Sequence, residues 1–302
     1  MSLNCHGTIG YIQRGEVARA KIGVIFSLVT GAAEDLVIDV MNTHDLNLAC
    51  QLYQFLKPLD ILIGDRAFCA YADIVAIKNL DGDLVFRKHQ SRTTSMRQEK
   101  IVGDCDKLVT WYKPKICPTG LSLDEVEALP STIIVREIFY YIVIPGFRTQ
   151  RVSLITTLLD TTIYSTLEIV RLYGQRWDVE LNLRHLETTL GMDVLRCKTP
   201  SMVRKELYVY LLAYNLLRAL MWEAGTTYNT PPLRLSLQGT RHHLINFISK
   251  LFTASSTQRH QIYRTLLKVV VHKAVPDRPG RTEPRVRKRR PRILSLDETT
   301  QT

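Results

Sequence analysis

Apolar residues come in short branched runs in the first third of this chain and recur at three- and four-residue spacing in the last third. Residues 20–31, AKIGVIFSLVTG, are rich in branched side chains and stop at a glycine, which predicts a strand. Residues 34–42, EDLVIDVMN, follow after a short turn, so the two form a predicted hairpin. In residues 44–58, HDLNLACQLYQFLKP, the apolar positions fall at helical spacing up to Pro58. The next run, LDILIGDRAF, is almost purely apolar and breaks off at Gly64-Asp65-Arg66. Such a run predicts a buried strand with Asp65 at its carboxyl end. AYADIVAIKNL then reads as a helix and residues 82–89, GDLVFRKH, as another strand.

Strands and helices in this order predict an α/β class fold, a mixed sheet flanked by helices. In such sheets ligand sites gather at the carboxyl ends of strands, which draws attention to Asp65. Residues 90–155 interrupt the order with polar loops and two β-rich pieces, KLVTWYKPK and TIIVREIFYYIVI. They read as a β-rich insertion between a first part, 1–89, and a helical part, 156–225. Helical spacing continues through residues 201–225 and again near 241–270, giving C-terminal helices over 226–275. A basic tail occupies 276–302.

Residues 173–193, YGQRWDVELNLRHLETTLGMD, carry the most chemistry. Tyr173, Arg176 and Glu180 stand three and four residues apart, on one helical face. Arg184 continues that row, and Glu187 lies two turns beyond Glu180. A salt-bridge ladder Arg176–Glu180–Arg184 on a solvated face accounts for the spacing as simply as a site does.

Charge changes the picture. The 302 residues carry a formal net charge of +11, which points to a polyanionic partner. Eight of the residues in PDRPGRTEPRVRKRRPR, 276–292, are basic, among them Arg285, Arg287, Lys288, Arg289 and Arg290. Prolines forbid a regular helix there, so the tail reads as a disordered, extended arm able to follow a phosphate backbone. The apolar runs are too short and interrupted for a membrane span. The six cysteines are scattered without a CxxC pair, which argues against disulfides or zinc and fits a reducing cytoplasm.

DILIGDRAFCAYADI, YGQRWDVELNLRHLETTLGMDVLRCKTPSMVRKEL and RPGRTEPRVRKRRPR together resemble the DDE transposases of bacterial insertion sequences, of the insertion-sequence-four type. That group carries a Tyr-x2-Arg-x3-Glu-x6-Lys signature, matched here by Tyr173, Arg176 and Glu180. The resemblance implies a ribonuclease H-like fold and two-metal phosphodiester chemistry for cutting and joining DNA. It makes Glu180 the catalytic glutamate and Asp65 the second catalytic aspartate, both ligands of Mg2+, with Mn2+ as a substitute. Carboxylates suit these hard cations. Tyr173, Arg176, Arg184, Arg196 and Lys198, with the tail cations, would then contact DNA. The implied partners are double-stranded DNA (insertion-sequence ends and target) and a second copy of the chain in the DNA complex, in a bacterial cytoplasm at the nucleoid.

Two departures qualify this. Glu187 stands where the signature has Lys, an anion in place of a cation. The family's first catalytic Asp lies on a strand before the first hairpin, and here the first acidic residue is Glu16. The chain therefore reads as beginning inside the catalytic domain, its first strand missing and its chemistry impaired. Only residues 7–12, GTIGYI, could supply a poor substitute strand. The alternatives are a non-catalytic DNA-binding remnant and a nuclease that borrows Glu16 as a ligand. His89 and His185 read as structural, Trp177 and Trp222 as packing residues, Asp160 as a cap or turn, and residues 81–83 as a hairpin turn.

Each phosphate contact contributes about −0.9 to the slope of log K against log salt on duplex DNA. Removing residues 276–302 should therefore weaken DNA binding and flatten that slope by several units in a salt titration. An unchanged slope would contradict this role for the tail.

Overall fold

The computed structural model describes residues 2–13, 16–40, 45–89, 99–115, 122–143 and 149–275, with 2–13 and 16–19 at backbone level. The strands are β1 (Ser2–Gln13), β2 (Glu16–Ser27), β3 (Ala33–Val40), β4 (Ile61–Gly64), β5 (Asp83–Arg87), β6 (Glu99–Gly103), β7 (Asp106–Tyr112), β8 (Thr132–Ile142) and β9 (Gln150–Thr156). They form one sheet in the order β3-β2-β1-β4-β5-β9-β8-β7-β6. β1 runs parallel to β4 and β4 to β5, while the other pairs are antiparallel. The first five strands in that order make the ribonuclease H-like mixed sheet the sequence implied. The four strands from the piece read as a β-rich insertion extend the same sheet.

Of the two outcomes expected at the first strand, a gap or a substitute from residues 7–12, the structure has the substitute: 7–12 lie within β1. β1 pairs with β2 along its whole length and with β4 at Ser2↔Leu62 and Leu3↔Ile63. β2 and β4 both offer backbone donors and acceptors inside the molecule, and leaving these unpaired costs about 1–3 kcal/mol each. A stretch weakened by Gly7 and Gly10 still meets that demand, because the ladder bonds belong to the backbone. What the sequence does show holds: Ser2–Gln13 contains no Asp or Glu.

The sheet buries both faces. Alternation along the central strands sends Ile63 and Val85 to one side and Leu62, Leu84 and Phe86 to the other. On the second side pack α1 (Asp45–Tyr53) and α2 (Tyr71–Asn79). On the first pack α4 (Thr166–Gly174), α5 (Arg176–Arg184), α6 (Pro200–Thr227) and α8 (Ser256–Val271). α3 (Leu123–Ala128) and α7 (Leu237–Thr253) complete the set. None of the described helices is long and apolar enough to cross a membrane.

A buried ion pair fixes how the chain leaves the sheet for α4. Arg136 on β8 is fully buried, and its Nε donates to both Asp106 oxygens at 2.9 and 3.0 Å. Its Nη1 donates to the carbonyls of Leu158 and Tyr164 at 3.3 and 2.7 Å. Thr166, the first residue of α4, donates its hydroxyl to Asp106 at 2.7 Å. A guanidinium satisfied this fully offsets its loss of water, whereas removal of one partner leaves a bare buried charge. Ser165 caps α4 in a reciprocal box with Glu168, and Asp160 accepts from the Thr162 N–H and hydroxyl at 2.8 and 2.6 Å, the turn role its sequence suggested.

Arg136→Ala or Asp106→Ala should lower unfolding stability by about 3–5 kcal/mol in a urea titration. The double change to Leu at Asp106 and Met at Arg136 should recover much of that loss. Single substitutions as mild as those on the surface would contradict the anchoring role of the pair.

Candidate active site

Asp65 follows directly on β4. Its carboxylate accepts the Arg66 N–H at 2.8 Å and caps the short 3-10 turn Arg66–Phe68, so the side chain is held at the strand mouth. Gly64 is required just before it: a Cβ there would come within 2.9 Å of the Phe86 ring. On the neighbouring parallel strand, Phe86 pairs with Gly64, so Arg87 sits at the same carboxyl end.

From the other side come α4 and α5, almost one helix, joined through Gln175 in helical conformation. Tyr173 is buried at the end of α4. Arg176 opens α5 and donates to Glu180 Oε1 at 3.0 Å, with side chains 21% and 37% exposed. Burial pushes the Tyr173 phenol up to about 12; Arg176 and Arg87 pull it down while Asp65 and Tyr140 push it up. Burial works against the Arg176 charge, but Tyr173, the Glu180 bond and Asp65 outweigh it and hold its pKa above the ordinary value. Burial also raises the Tyr140 phenol, against the pull of Arg87 and Arg176.

Arg176 is thus the common neighbour of Asp65 and Glu180. Arg87 and Tyr140 join them, and neither was singled out from the sequence. The signal for Arg87 was available, since GDLVFRKH is the strand whose end must lie beside LDILIGD. Tyr140 has no such signal; it comes from β8, three strands from β4 in the sheet, and only the sheet order brings it close.

The ladder is shorter than its spacing suggests. Arg184 is exposed, and Arg176–Glu180 is the ion pair formed on this face among the described residues. After Arg184 the helix widens into a π-helical turn, His185–Thr189, which moves Glu187 off the straight row. Burial and Asp193 hold the Glu187 carboxyl above its usual range. Arg196 and Lys198 lie exposed on the turn before α6. Arg285, Arg287, Lys288, Arg289 and Arg290 lie outside the described residues. Trp177 and Trp222, expected in packing roles, are instead 45% and 37% exposed. Residues 81–83, expected as a hairpin turn, instead lead from α2 into β5: Asp81 stands at φ 56° and Asp83 is the first residue of the strand.

Glu16 cannot join this site. It pairs with Gln13, ten positions along β1 from Leu3, which pairs with Ile63. Even with Asp65 two residues past Ile63, roughly 25 Å of strand separates them. The nuclease reading that borrows Glu16 falls with that distance.

The donors present suit Mg2+ in type but not in number. Asp65 and Glu180 offer hard oxygens, yet no group of three His, Cys, Asp or Glu side chains able to hold a metal occurs among the described residues. Glu180 is also engaged by a guanidinium. No step through a metal follows from this arrangement.

Behind α5, Asn182 accepts from Arg218 of α6. Arg218 Nε donates to the Tyr214 hydroxyl at 2.9 Å, and that hydroxyl donates to the Gly31 carbonyl at 2.6 Å. Asn215 closes the junction by bonding both backbone groups of Ala33 at 2.8 and 2.9 Å. His185 lies against this network with its Nδ1 buried and without a hydrogen-bond partner.

Comparison with known proteins agrees with the signature. Residues 6–216 match the transposase DDE domain family, and the chain belongs to that family. Over 141 residues it is 32% identical to the transposase InsG for insertion sequence element IS4 of Escherichia coli (strain K12), a match covering 46% of this chain and 32% of that protein. Among solved structures, a piggyBac transposase synaptic complex with hairpin DNA aligns over 95% of this chain and 60% of its own, with a TM-score of 0.41 and 12% identity. The NurA nuclease from Sulfolobus solfataricus aligns over 70% and 82%, with a TM-score of 0.29 and 12% identity. At such TM-scores the two overlaps carry no argument about function.

Burial, with Arg218 and Arg184, pushes His185 down from 6.5 to about 4. A depressed folded value contributes stability that is full above the unfolded pKa and lost as pH falls through the folded one. Stability should therefore drop between pH 6.5 and 4, by on the order of 2–3 kcal/mol from this group. Urea titrations across that range should show a shallower fall for His185→Gln. An unchanged fall would contradict the assignment.

Proposed function

We propose that this chain carries the DNA-handling surface of an insertion-sequence transposase, with Asp65 and Glu180 as its family carboxylates and its cutting chemistry impaired. The observation that carries the reading is Arg176, a half-buried guanidinium between these two carboxylates at the carboxyl end of a central strand. In this reading Arg176, Arg87 and Arg184 meet phosphate oxygens, and Tyr173 and Tyr140 wall the site with phenols that stay protonated at neutral pH. Duplex DNA of the element's ends and target is the substrate, bound by two copies of the chain in the cytoplasm.

The impairment rests on β1. It occupies the central place where the family carries its first aspartate, yet brings no carboxylate. Two carboxylates do not readily hold two divalent ions, each of which prefers oxygen ligands from well-anchored groups. That observation also favours a second reading, a DNA-binding protein that has lost the chemistry altogether.

A nicking and strand-transfer assay on duplex DNA with Mg2+ or Mn2+ separates them. The expected result is binding with only weak metal-dependent nicking; binding with none at all would favour the second reading. Arg176→Ala should weaken binding and Glu180→Gln should tighten it, because one removes a cation and the other an anion from the phosphate path. Robust cleavage abolished by Asp65→Ala or Glu180→Ala would show the impairment wrong. Absence of DNA binding would overturn both readings.

A further inference from the structure

The turn Arg196–Thr199 joins the end of the signature helix region to α6, and a carboxylate organises it from beneath. Glu206, two turns into α6, accepts the Arg196 N–H at 3.0 and 3.1 Å on its two oxygens. It also accepts the Cys197 N–H at 2.9 Å. Burial alone would raise the Glu206 carboxyl; these N–H donors outweigh it and hold the group below its ordinary value. The turn is pinned on both sides by core residues, since Leu195 before it is 2% exposed and Leu207 after Glu206 is fully buried.

This anion stands among exposed cations. Arg196 and Lys198 on the turn, and Arg204 and Lys205 on α6, all face solvent. α6 begins at Pro200, so the positive end of a 28-residue helix lies at the same turn. A surface selected only for phosphate attraction would have no carboxylate here, because its charge opposes the ligand. Its oxygens, however, are committed to backbone donors, which otherwise have no helix or strand partner.

We propose that Glu206 is a positioning residue for nucleic-acid binding: it locks the backbone of the turn so that Arg196 and Lys198 meet successive phosphates of duplex DNA. The proposal rests on the DNA-binding reading above. It makes a prediction whose sign differs from that of charge alone. Deleting an anion from a DNA-facing surface should tighten binding, whereas deleting a positioning residue should weaken it.

The test compares wild type, Glu206→Ala, Glu206→Gln and the double variant Arg196→Ala/Lys198→Ala, with and without Glu206→Ala, on duplex DNA over a range of salt. Glu206→Ala should weaken binding and flatten the slope of log K against log salt by up to about 1.8, two contacts at about 0.9 each. Glu206→Gln keeps an acceptor oxygen and should bind nearly as wild type. In the Arg196→Ala/Lys198→Ala background, Glu206→Ala should add no further loss. If Glu206→Ala folds poorly, Glu206→Gln decides alone: near-wild-type binding supports the proposal, and tighter binding, the result of charge removal alone, overturns it. Tighter binding by both Ala and Gln variants would overturn the proposal and leave DNA binding intact. Full additivity with the double variant would do the same. No binding by the wild type would fall on the DNA-binding reading itself, and the proposal would fall with it.

Discussion

The site depends on a buried ion pair that never touches it. Arg136 and Asp106 lie inside the sheet extension, and their bonds to Leu158, Tyr164 and Thr166 decide where the chain re-enters the helical layer. Seven residues after Thr166 that helix places Tyr173, and α5, which continues it, delivers Arg176 and Glu180 to the mouth of β4. Burying a full guanidinium is unfavourable unless nearly all its donors are met. Here they are, and the pair tolerates few other geometries. The strands after β5 therefore act as the abutment that sets the direction of the signature helix.

A second junction holds the far side of that helix. Asn182 and Arg218 tie α5 to α6, and Tyr214 and Asn215 tie α6 to the β2–β3 turn. α5 is thus clamped between two polar networks while its apolar residues Val179 and Leu183 fill the core. The side left free carries Arg176 and Glu180. Such clamping from both sides is what a site needs, because charged groups can be held half-buried only on elements that cannot relax away from one another.

Much of this was legible in the residues, for reasons that differ by element. The run LDILIGD announced itself because a strand buried on both faces must be continuously apolar, and its abrupt end placed Asp65. The Tyr-Arg-Glu spacing announced a helix face. β1 was foreseen only as a poor substitute over residues 7–12, because its ladder depends on backbone pairing offered by β2 and β4, which no side-chain pattern records. The π-helical turn at His185–Thr189 breaks the helical count that put Glu187 in line with Glu180. Trp177 and Trp222 were read as packing residues from their chemistry alone, and each stands partly in solvent on its helix. Tyr140 could be found only once the order β5-β9-β8 was known.

The claim that a remote buried pair orients the signature helix is tested most directly by amide hydrogen exchange on wild type and Asp106→Asn. The account predicts that protection falls mainly within residues 158–184, while α6, α8 and the β2–β3 pair keep theirs. An even loss across the whole chain would mean that the pair serves general stability alone. Unchanged exchange in 158–184 would contradict the account outright.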